Sequence, residues 1–157
     1  MEYTALIYDT EHYDDIAFDR MKKACSLFIE DADCKEIVIS ANKEWIVKLA
    51  TNPIPKSMYV QMSNKPYVSL LNGLKAVTQE NVLVIGLSKE LTRESIDALL
   101  ENLQKYPSVS YTDHVFEAFD TRLLMFCLQY AIEFNMAVDT YSKAVDALAD
   151  TPIHYIA

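Results

Sequence analysis

The sequence predicts an α/β fold in which a mostly parallel, Rossmann-like sheet lies between two layers of helices. Two observations lead to this prediction. Short apolar runs rich in Val, Ile and Tyr alternate with longer segments of helical period, a pattern typical of parallel sheets that helices cover on both faces. The 157 residues also suffice for one domain of ordinary size. We therefore expect a single three-layer domain over residues 1–157.

The strand predictions rest on short apolar runs that end at polar or turn-forming residues. The runs ALIYD and NVLVIGL are continuous apolar segments of the kind found in buried central strands. The predicted strands cover residues 5–9, 36–40, 58–62, 81–87, 109–113 and 153–156.

The helix predictions rest on apolar spacings of three and four residues and on end signals. Thr92 and Asp120 are good N-caps, Pro66 suits the start of a helix, and either Asn42 or Lys43 begins the second helix. That helix ends before Pro53 because the residue before a proline avoids helical backbone. The other predicted helices cover residues 14–30, 67–77, 93–105, 122–134 and 140–149.

The fifth predicted helix, residues 122–134, is apolar over more than one face. A helix of this kind is buried on several sides. We expect it to be either central in the fold or covered by a partner subunit.

Composition argues against several classes of partner. The formal net charge of -9 opposes association with polyanions, so we do not expect DNA, RNA or an anionic membrane surface as a partner. No apolar run is long enough for a membrane helix, and the first residues lack the basic start of a secretory signal, so we expect a cytoplasmic protein. Cys25, Cys34 and Cys127 have no metal-ligand spacing and are expected to be small core residues.

Familiar catalytic motifs are also missing from the sequence. Its 2 glycines, Gly73 and Gly86, cannot form a glycine-rich phosphate-binding loop. The histidines His12, His114 and His154 lie far apart and have no zinc-site spacing. His114, beside an aspartate at the end of a predicted strand, is the histidine best placed to act as a base.

Three stretches of the sequence, taken in order, carry a resemblance to a known family. They are VSLLNGLKAV at residues 68–77, VLVIGLSKELTRESIDALL at 82–100, and the segment 116–156, which begins FEAFDTRLL. Together with the first two predicted strands, they resemble the methylerythritol-phosphate cytidylyltransferases and their ribitol-phosphate relatives. The resemblance implies a nucleotidyltransferase fold that binds CTP and magnesium, with a β-arm used for dimerisation.

The first turn departs from what the resemblance implies. Where the family has a glycine-rich turn, this chain has Glu11, Asp14 and Asp15 close to the expected position of the phosphates. Because like charges repel, we expect this turn to exclude a triphosphate. The basic residues that follow, among them Lys22 and Lys23, are either remnants of the family's basic pair or solvated helix residues.

The family's metal and base sites are only partly matched. Asp139 matches the later of two metal-binding aspartates, whereas the earlier position falls at or beside Gly86. Asp139 is therefore either a magnesium ligand, together with Asp9, or the cap of the last helix. Ser69 and Gly73 match the family's nucleotide pocket and are assigned to a vestigial pocket, with a first-turn helix residue and a close-packing glycine as the alternatives.

The family's dimer is not expected from this sequence. The segment between the fifth predicted strand and Phe116 is too short for a full β-arm. A homodimer is nevertheless possible.

Two functional hypotheses follow from these matches. In the first, the chain is a degenerate cytidylyltransferase-like domain that binds a protein partner or a small ligand without nucleotidyl transfer. In the second, it is an active CTP-dependent transferase acting on a small polyol phosphate, with Mg²⁺ and a rearranged site of Asp9, Asp139 and Lys22 or Lys23.

A third possibility is that the likeness reflects only shared α/β architecture. A cytidylyltransferase relative should place Ser69, Gly86 and Asp139 around one crevice at the carboxyl ends of the strands. Under the first hypothesis, the first turn becomes an acidic, aromatic surface that suits a protein contact or a cationic ligand. We place this surface around Tyr8, Glu11, His12 and Tyr13.

Overall fold

Strands and helices alternate along most of the chain. The computed structural model describes residues 1–9, 12–65, 67–136 and 141–157. In chain order the elements are β1 (Tyr3–Ile7), α1 (Asp15–Glu30), β2 (Cys34–Ala41), α2 (Lys43–Thr51), β3 (Ser57–Gln61), α3 (Val68–Ala76), β4 (Asn81–Ile85), α4 (Arg93–Leu103), β5 (Ser108–Tyr111), β6 (Phe116–Asp120), α5 (Thr121–Glu133), α6 (Tyr141–Leu148) and β7 (His154–Ile156).

All the described strands belong to one sheet, in the order β3-β2-β1-β4-β6-β5-β7. β1 pairs in parallel with β2 on one side and with β4 on the other, and β2 pairs in parallel with β3. β6 runs antiparallel between β4 and β5, and β5 pairs in parallel with β7. Among the described strands, β6 alone runs against the common direction, so the predicted mostly parallel sheet is confirmed.

Two hydrophobic layers lie on opposite faces of this sheet, because successive side chains of a strand point to opposite faces. Ala5 and Ile7 of β1 pack with residues of α1, α2 and α4, whereas Leu6 packs with residues of α3, α5 and α6. The predicted three-layer arrangement is therefore confirmed. In the described part of the chain, no helix combines the length and hydrophobicity that a membrane span requires.

Helix starts follow the capping chemistry in the sequence. Thr92 accepts a hydrogen bond from the amide of Ser95, and Asp120 accepts one from the amide of Leu123, as predicted. Asn42 caps α2, which therefore begins at Lys43. Pro66, which was expected to suit the start of the helix predicted over residues 67–77, lies outside the described residues, as does Thr140, the predicted first residue of the last helix.

The strand β6 was not predicted from the sequence. The segment FEAFD is short, carries a glutamate at its second position, and leads directly into the cap of α5. Its strand conformation depends on long-range pairing with β4 and β5. Residues 112–115 alone connect β5 to β6, which confirms that this segment is too short for a β-arm.

The three cysteines are buried and form no disulfide. Burial raises the pKa of the Cys25 thiol to about 12, so this thiol stays protonated near neutral pH. The prediction that the cysteines are core residues is confirmed.

Candidate functional site

A crevice opens at the carboxyl ends of β1 and β4, at the centre of the sheet. From β1 the chain continues to β2 and β3 on one side of this position, and from β4 it continues to β5 and β6 on the other side. The strand order therefore reverses between β1 and β4, which is where ligands bind in open α/β sheets. The cavity measures about 280 Å³. Its lining includes residues from the ends of β1 and β4, from the β5–β6 turn and from the start of α6.

The carboxylate of Asp9 holds the first turn against the loop that follows β4. Its Oδ1 accepts a hydrogen bond from the backbone amide of His12 at 3.0 Å and pairs with the His12 Nδ1 atom at 2.8 Å. Its Oδ2 accepts a hydrogen bond from the backbone amide of Leu87 at 2.8 Å. The Asp9 side chain is only 9% exposed. A magnesium ion at Asp9 would therefore compete with hydrogen bonds that the protein already makes.

Gly86 leaves little room for the carboxylate that the family resemblance implies near this position. Its amide donates a hydrogen bond to the carbonyl of Val115 at 2.7 Å. A Cβ atom at residue 86 would lie 3.1 Å from that carbonyl oxygen and 3.6 Å from Asp9 Oδ2. An aspartate here would crowd the β5–β6 turn and bring a second negative charge to Asp9.

Glu117 of β6 places a fully buried carboxylate in the wall of the crevice. Its Oε2 accepts a hydrogen bond from the hydroxyl of Ser142 at 2.6 Å and lies 3.2 Å from His114 Nδ1. Its Oε1 is buried and has no hydrogen-bond partner among the described residues. Because an unsatisfied buried carboxylate oxygen is costly, this atom is the strongest indication of a missing donor in the crevice.

His114 lies in the turn between β5 and β6 with left-handed backbone at φ 60°. The hydrogen bond to Glu117, reinforced by that carboxylate's charge, raises the pKa of His114 above its ordinary value. The protonated form of His114 is therefore stabilised beside the buried carboxylate. At higher pH, a neutral His114 leaves the Glu117 charge without a cationic partner among the described residues.

Three tyrosines supply the aromatic part of the crevice wall: Tyr8, Tyr67 and Tyr141. The rings of Tyr8 and Tyr141 meet edge to face with centroids 6.2 Å apart. Burial is the largest cause that raises the pKa of both hydroxyls. The charge of Glu117 and a hydrogen bond from the Tyr141 hydroxyl to that carboxylate raise the pKa of Tyr141 further, so both phenols are neutral at ordinary pH.

The predicted aromatic surface is wrong for Tyr8, whose ring is buried and belongs to the interior wall of the crevice. Tyr13 packs on Trp45 instead of standing free at the surface. Glu11 lies outside the described residues.

The charges around the crevice are mainly negative. Asp9, Asp113 and Glu117 belong to the lining, and no described lining residue is a lysine or arginine. Lys89 lies at the rim, where it pairs with Asp113 and sits 5.0 Å from the centroid of the Phe116 ring. The crevice thus combines carboxylates with aromatic rings, the combination that binds organic cations.

The basic residues predicted for an active site lie elsewhere. Both Lys22 and Lys23 are exposed on α1. Lys22 lines a separate apolar groove between α1 and α2, and Lys23 pairs with Glu90 at 3.1 Å. Neither lysine lines the crevice that contains Asp9. Asp139, predicted as a metal ligand, lies outside the described residues.

Ser69 and Gly73, assigned to a vestigial nucleotide pocket, both have structural contacts. The Ser69 hydroxyl accepts a hydrogen bond from the Ser63 amide at 2.6 Å and donates one to the Ser63 carbonyl at 3.0 Å, which closes the loop before α3. A Cβ atom at Gly73 would lie 2.9 Å from Leu6 Cδ1, so this glycine allows α3 to pack closely on β1. Their nucleotide-binding role stays a prediction.

Ser69 and Gly86 nevertheless flank the same strand end. Ser69 lines a small cavity of about 170 Å³ that shares Tyr8 and Asp9 with the crevice lined by Gly86. Two of the three positions expected around one crevice therefore lie beside the end of β1.

Glu117 and Ser142 are site residues that were not predicted from the sequence. The available signal was a lone glutamate within the otherwise apolar segment FEAF, because such a residue in a buried strand needs a partner. Ser142 carried no comparable signal, since its meeting with Glu117 depends on the packing of α6 over the sheet.

Comparison with known proteins supports the fold. No protein-family model matches the chain. No curated protein sequence matches it either. A 4-diphosphocytidyl-2C-methyl-D-erythritol synthase from Anaerococcus prevotii has a similar structure, with a TM-score of 0.79 at 15% identity, over 99% of this chain and 88% of that one.

A 2-C-methyl-D-erythritol 4-phosphate cytidylyltransferase from Thermus thermophilus is also similar, with a TM-score of 0.74 at 15% identity. This match covers 99% of the present chain and 88% of the Thermus chain. The bifunctional IspDF of Campylobacter jejuni matches with a TM-score of 0.72 at 16% identity, over 99% of this chain and 49% of that one. The chain therefore has a cytidylyltransferase-like fold, as the sequence resemblance implied.

Proposed function

We propose that this chain is a binding module that uses a cytidylyltransferase-like fold without nucleotidyl transfer. Its ligand is a small molecule with a primary ammonium group, held in the crevice at the ends of β1 and β4. The observation that carries the proposal is the buried Oε1 atom of Glu117, which lacks a hydrogen-bond donor among the described residues and belongs to a side chain that lines a cavity with tyrosine walls.

The chemistry of the crevice disfavours a nucleoside triphosphate. Transfer of a nucleotidyl group requires positive groups that stabilise the charge on the phosphates. The described lining has three carboxylates and lacks lysine and arginine, and the basic side chains of Lys22 and Lys23 lie outside it. The carboxylates of the crevice would repel a triphosphate. This repulsion supports a cytidylyltransferase-like domain without transferase activity over an active transferase with a rearranged site.

The same groups favour an ammonium ligand. An N–H donor satisfies Glu117 Oε1, and the carboxylate supplies a counter-charge in a site with restricted solvent access. The tyrosine rings in the crevice wall would attract a cation through their quadrupoles, a contribution of about 2 kcal/mol when the cation is desolvated. A cavity of about 280 Å³ is near the lower limit for ligand pockets, so the ligand is small.

A titration with matched probes tests this proposal. Putrescine carries two primary ammonium groups, and 1,4-butanediol has the same chain length without charge. We expect calorimetry to detect saturable binding of putrescine and no binding of 1,4-butanediol, since only the amine offers a cation to Glu117. Choline serves as a third probe: it is cationic but has no N–H donor, so we expect it to bind more weakly than putrescine.

Two results would contradict the proposal. Equal affinity for putrescine and 1,4-butanediol would show that the positive charge of the ligand does not contribute to binding. Absence of putrescine binding, with saturable binding of CTP·Mg²⁺, would favour the alternative of an active transferase.

A further inference from the structure

Helix α5 carries an exposed row of aromatic side chains that the crevice does not use. Phe126, Tyr130 and Phe134 are spaced four residues apart and are 57%, 38% and 60% exposed. Their ring centroids lie 6.2 Å and 4.5 Å from one another along the helix. We call these three residues the aromatic stripe; it extends over about 12 Å of helix.

The opposite side of α5 is buried against the rest of the protein. Leu124, Cys127, Leu128 and Ala131 are buried, and they pack in the layer formed with α3 and α6. Intramolecular packing therefore explains one face of the helix and leaves the stripe in solvent. Large apolar side chains clustered on a surface mark an interaction site.

The charges at the two ends of the stripe run against the helix dipole. Arg122 is exposed in the first turn and Glu133 is exposed in the last turn of α5. Cations are unfavourable near a helix N-terminus and anions are unfavourable near its C-terminus. This pattern does not stabilise the isolated helix. A second copy of α5 packed antiparallel would place an opposite charge beside each of these two residues.

We propose that the aromatic stripe is the interface of a symmetric homodimer, in which the α5 helices of two copies pack antiparallel. A twofold axis that passes between the two helices midway along the Phe126–Tyr130 pair brings Phe126 of one protomer against Tyr130 of its partner, and the reverse. It also brings Arg122 beside the partner's Glu133 and Phe134. Each misplaced charge then meets an opposite charge, and each guanidinium meets an aromatic ring.

This surface would replace the arm that the family resemblance implied for dimerisation. Residues 112–115 form only a short turn between β5 and β6, so an arm cannot form there. The exposed parts of the three aromatic rings amount to roughly 300 Å² per protomer, given about 200 Å² for each whole side chain. A stable interface buries about 800 Å² per partner, so flanking residues on α3 and α6 must contribute, and we expect a concentration-dependent dimer.

Sedimentation velocity over the micromolar concentration range tests the interface. We expect the wild-type chain to shift from monomer to dimer as its concentration rises. Phe126→Asp places a charge in the centre of the stripe and should weaken the dimer by about 30-fold or more. The control is Ile16→Asp on α1, because Ile16 is 64% exposed and therefore similar in exposure to Phe126. Circular dichroism and the melting temperature of each monomer establish that both variants fold.

A charge exchange distinguishes the antiparallel dimer from other uses of the stripe. Arg122→Glu alone should weaken the dimer, because it brings like charges together at both ends. The double variant Arg122→Glu with Glu133→Arg should restore much of the lost affinity, since each pair is then opposite in sign again. Wild-type protein that stays monomeric at high concentration would overturn the proposal. So would a dimer that Phe126→Asp leaves intact, or a double variant no tighter than Arg122→Glu.

Discussion

Glu117→Gln should weaken putrescine binding by at least about 30-fold while leaving the fold intact, which is the largest functional effect that we expect from a single substitution. Gln keeps the size of the side chain and an oxygen that accepts the hydrogen bond from Ser142. It removes the counter-charge and places an amide nitrogen, which is a donor, where the ammonium ligand needs an acceptor. Loss of a buried charged partner costs about 2 to 5 kcal/mol, so affinity should fall by at least about 30-fold.

Glu36→Gln is the matched control for this substitution. Glu36 belongs to β2 and accepts hydrogen bonds from Thr4 and Thr78 at the amino ends of the strands. The two variants therefore change net charge equally at opposite ends of the sheet. Putrescine affinity should stay within about threefold of wild type in Glu36→Gln. An equal loss of affinity in both variants would show that overall charge, rather than the crevice, governs binding.

The Glu117 substitution also changes how stability depends on pH. The pKa of His114 is raised in the folded state by Glu117, from an ordinary value of 6.5. A group with a raised folded-state pKa stabilises the protein fully below its unfolded-state pKa and loses that contribution as pH rises through the folded-state pKa. We expect the free energy of unfolding of ligand-free wild type to fall by about 1 kcal/mol as pH rises above 6.5, allowing for the partial exposure of His114.

Glu117→Gln should remove this pH dependence. At low pH the variant lacks the charged pair and should be less stable than wild type. At high pH wild type retains a buried carboxylate opposite a neutral imidazole, so the variant should equal or exceed it in stability. Urea denaturation at a series of pH values measures both curves. Parallel curves for the two proteins would contradict the assigned coupling between Glu117 and His114.

Trp45→Ala should cause the largest loss of stability. Trp45 is 1% exposed, and its ring lies 4.8 Å from that of Tyr13 and 5.3 Å from that of Phe18, measured between centroids. Truncation of a buried tryptophan costs about 3 to 5 kcal/mol, because burial is lost and a cavity remains. For a domain of this size, the melting temperature should fall by roughly 6 to 20 °C.

Thermal unfolding followed by circular dichroism measures this effect, and Val47→Ala on the same helix serves as the control. Val47 is 66% exposed, so its truncation should change stability by no more than about 0.5 kcal/mol. A loss below about 1 kcal/mol in Trp45→Ala would contradict the stabilising role assigned to the packing of Trp45 against Tyr13 and Phe18.

The sequence predicted those parts of the fold that depend on local chemistry. Thr92 and Asp120 begin their helices because a side-chain oxygen satisfies a nearby amide, and this requires only a few neighbouring residues. The strand β6 could not be found in this way. Its residues FEAFD lack a clear strand pattern, and the pairing with β4 and β5 that makes them a strand is long-range.

Only those parts of the candidate site that depend on residues close together in the sequence were predictable. The acidic character of the first turn followed from the sequence, and Asp9 indeed lies at the crevice. The meeting of Glu117 with Ser142 joins residues 25 positions apart and depends on where β6 enters the sheet. Tyr8 was expected in an acidic, aromatic surface at the first turn, but its ring is buried and α6 brings Tyr141 against it.

Titration of the wild-type protein with CTP and Mg²⁺, followed by an assay for pyrophosphate release, tests the central claim that the crevice excludes a triphosphate. A ligand at 100 times its dissociation constant stabilises a protein by about 2.7 kcal/mol, which a melting curve detects readily. We predict no shift with CTP·Mg²⁺, a clear shift with putrescine in the same buffer, and no pyrophosphate when a small polyol phosphate is added. A saturable shift with CTP·Mg²⁺ accompanied by pyrophosphate release would contradict this claim.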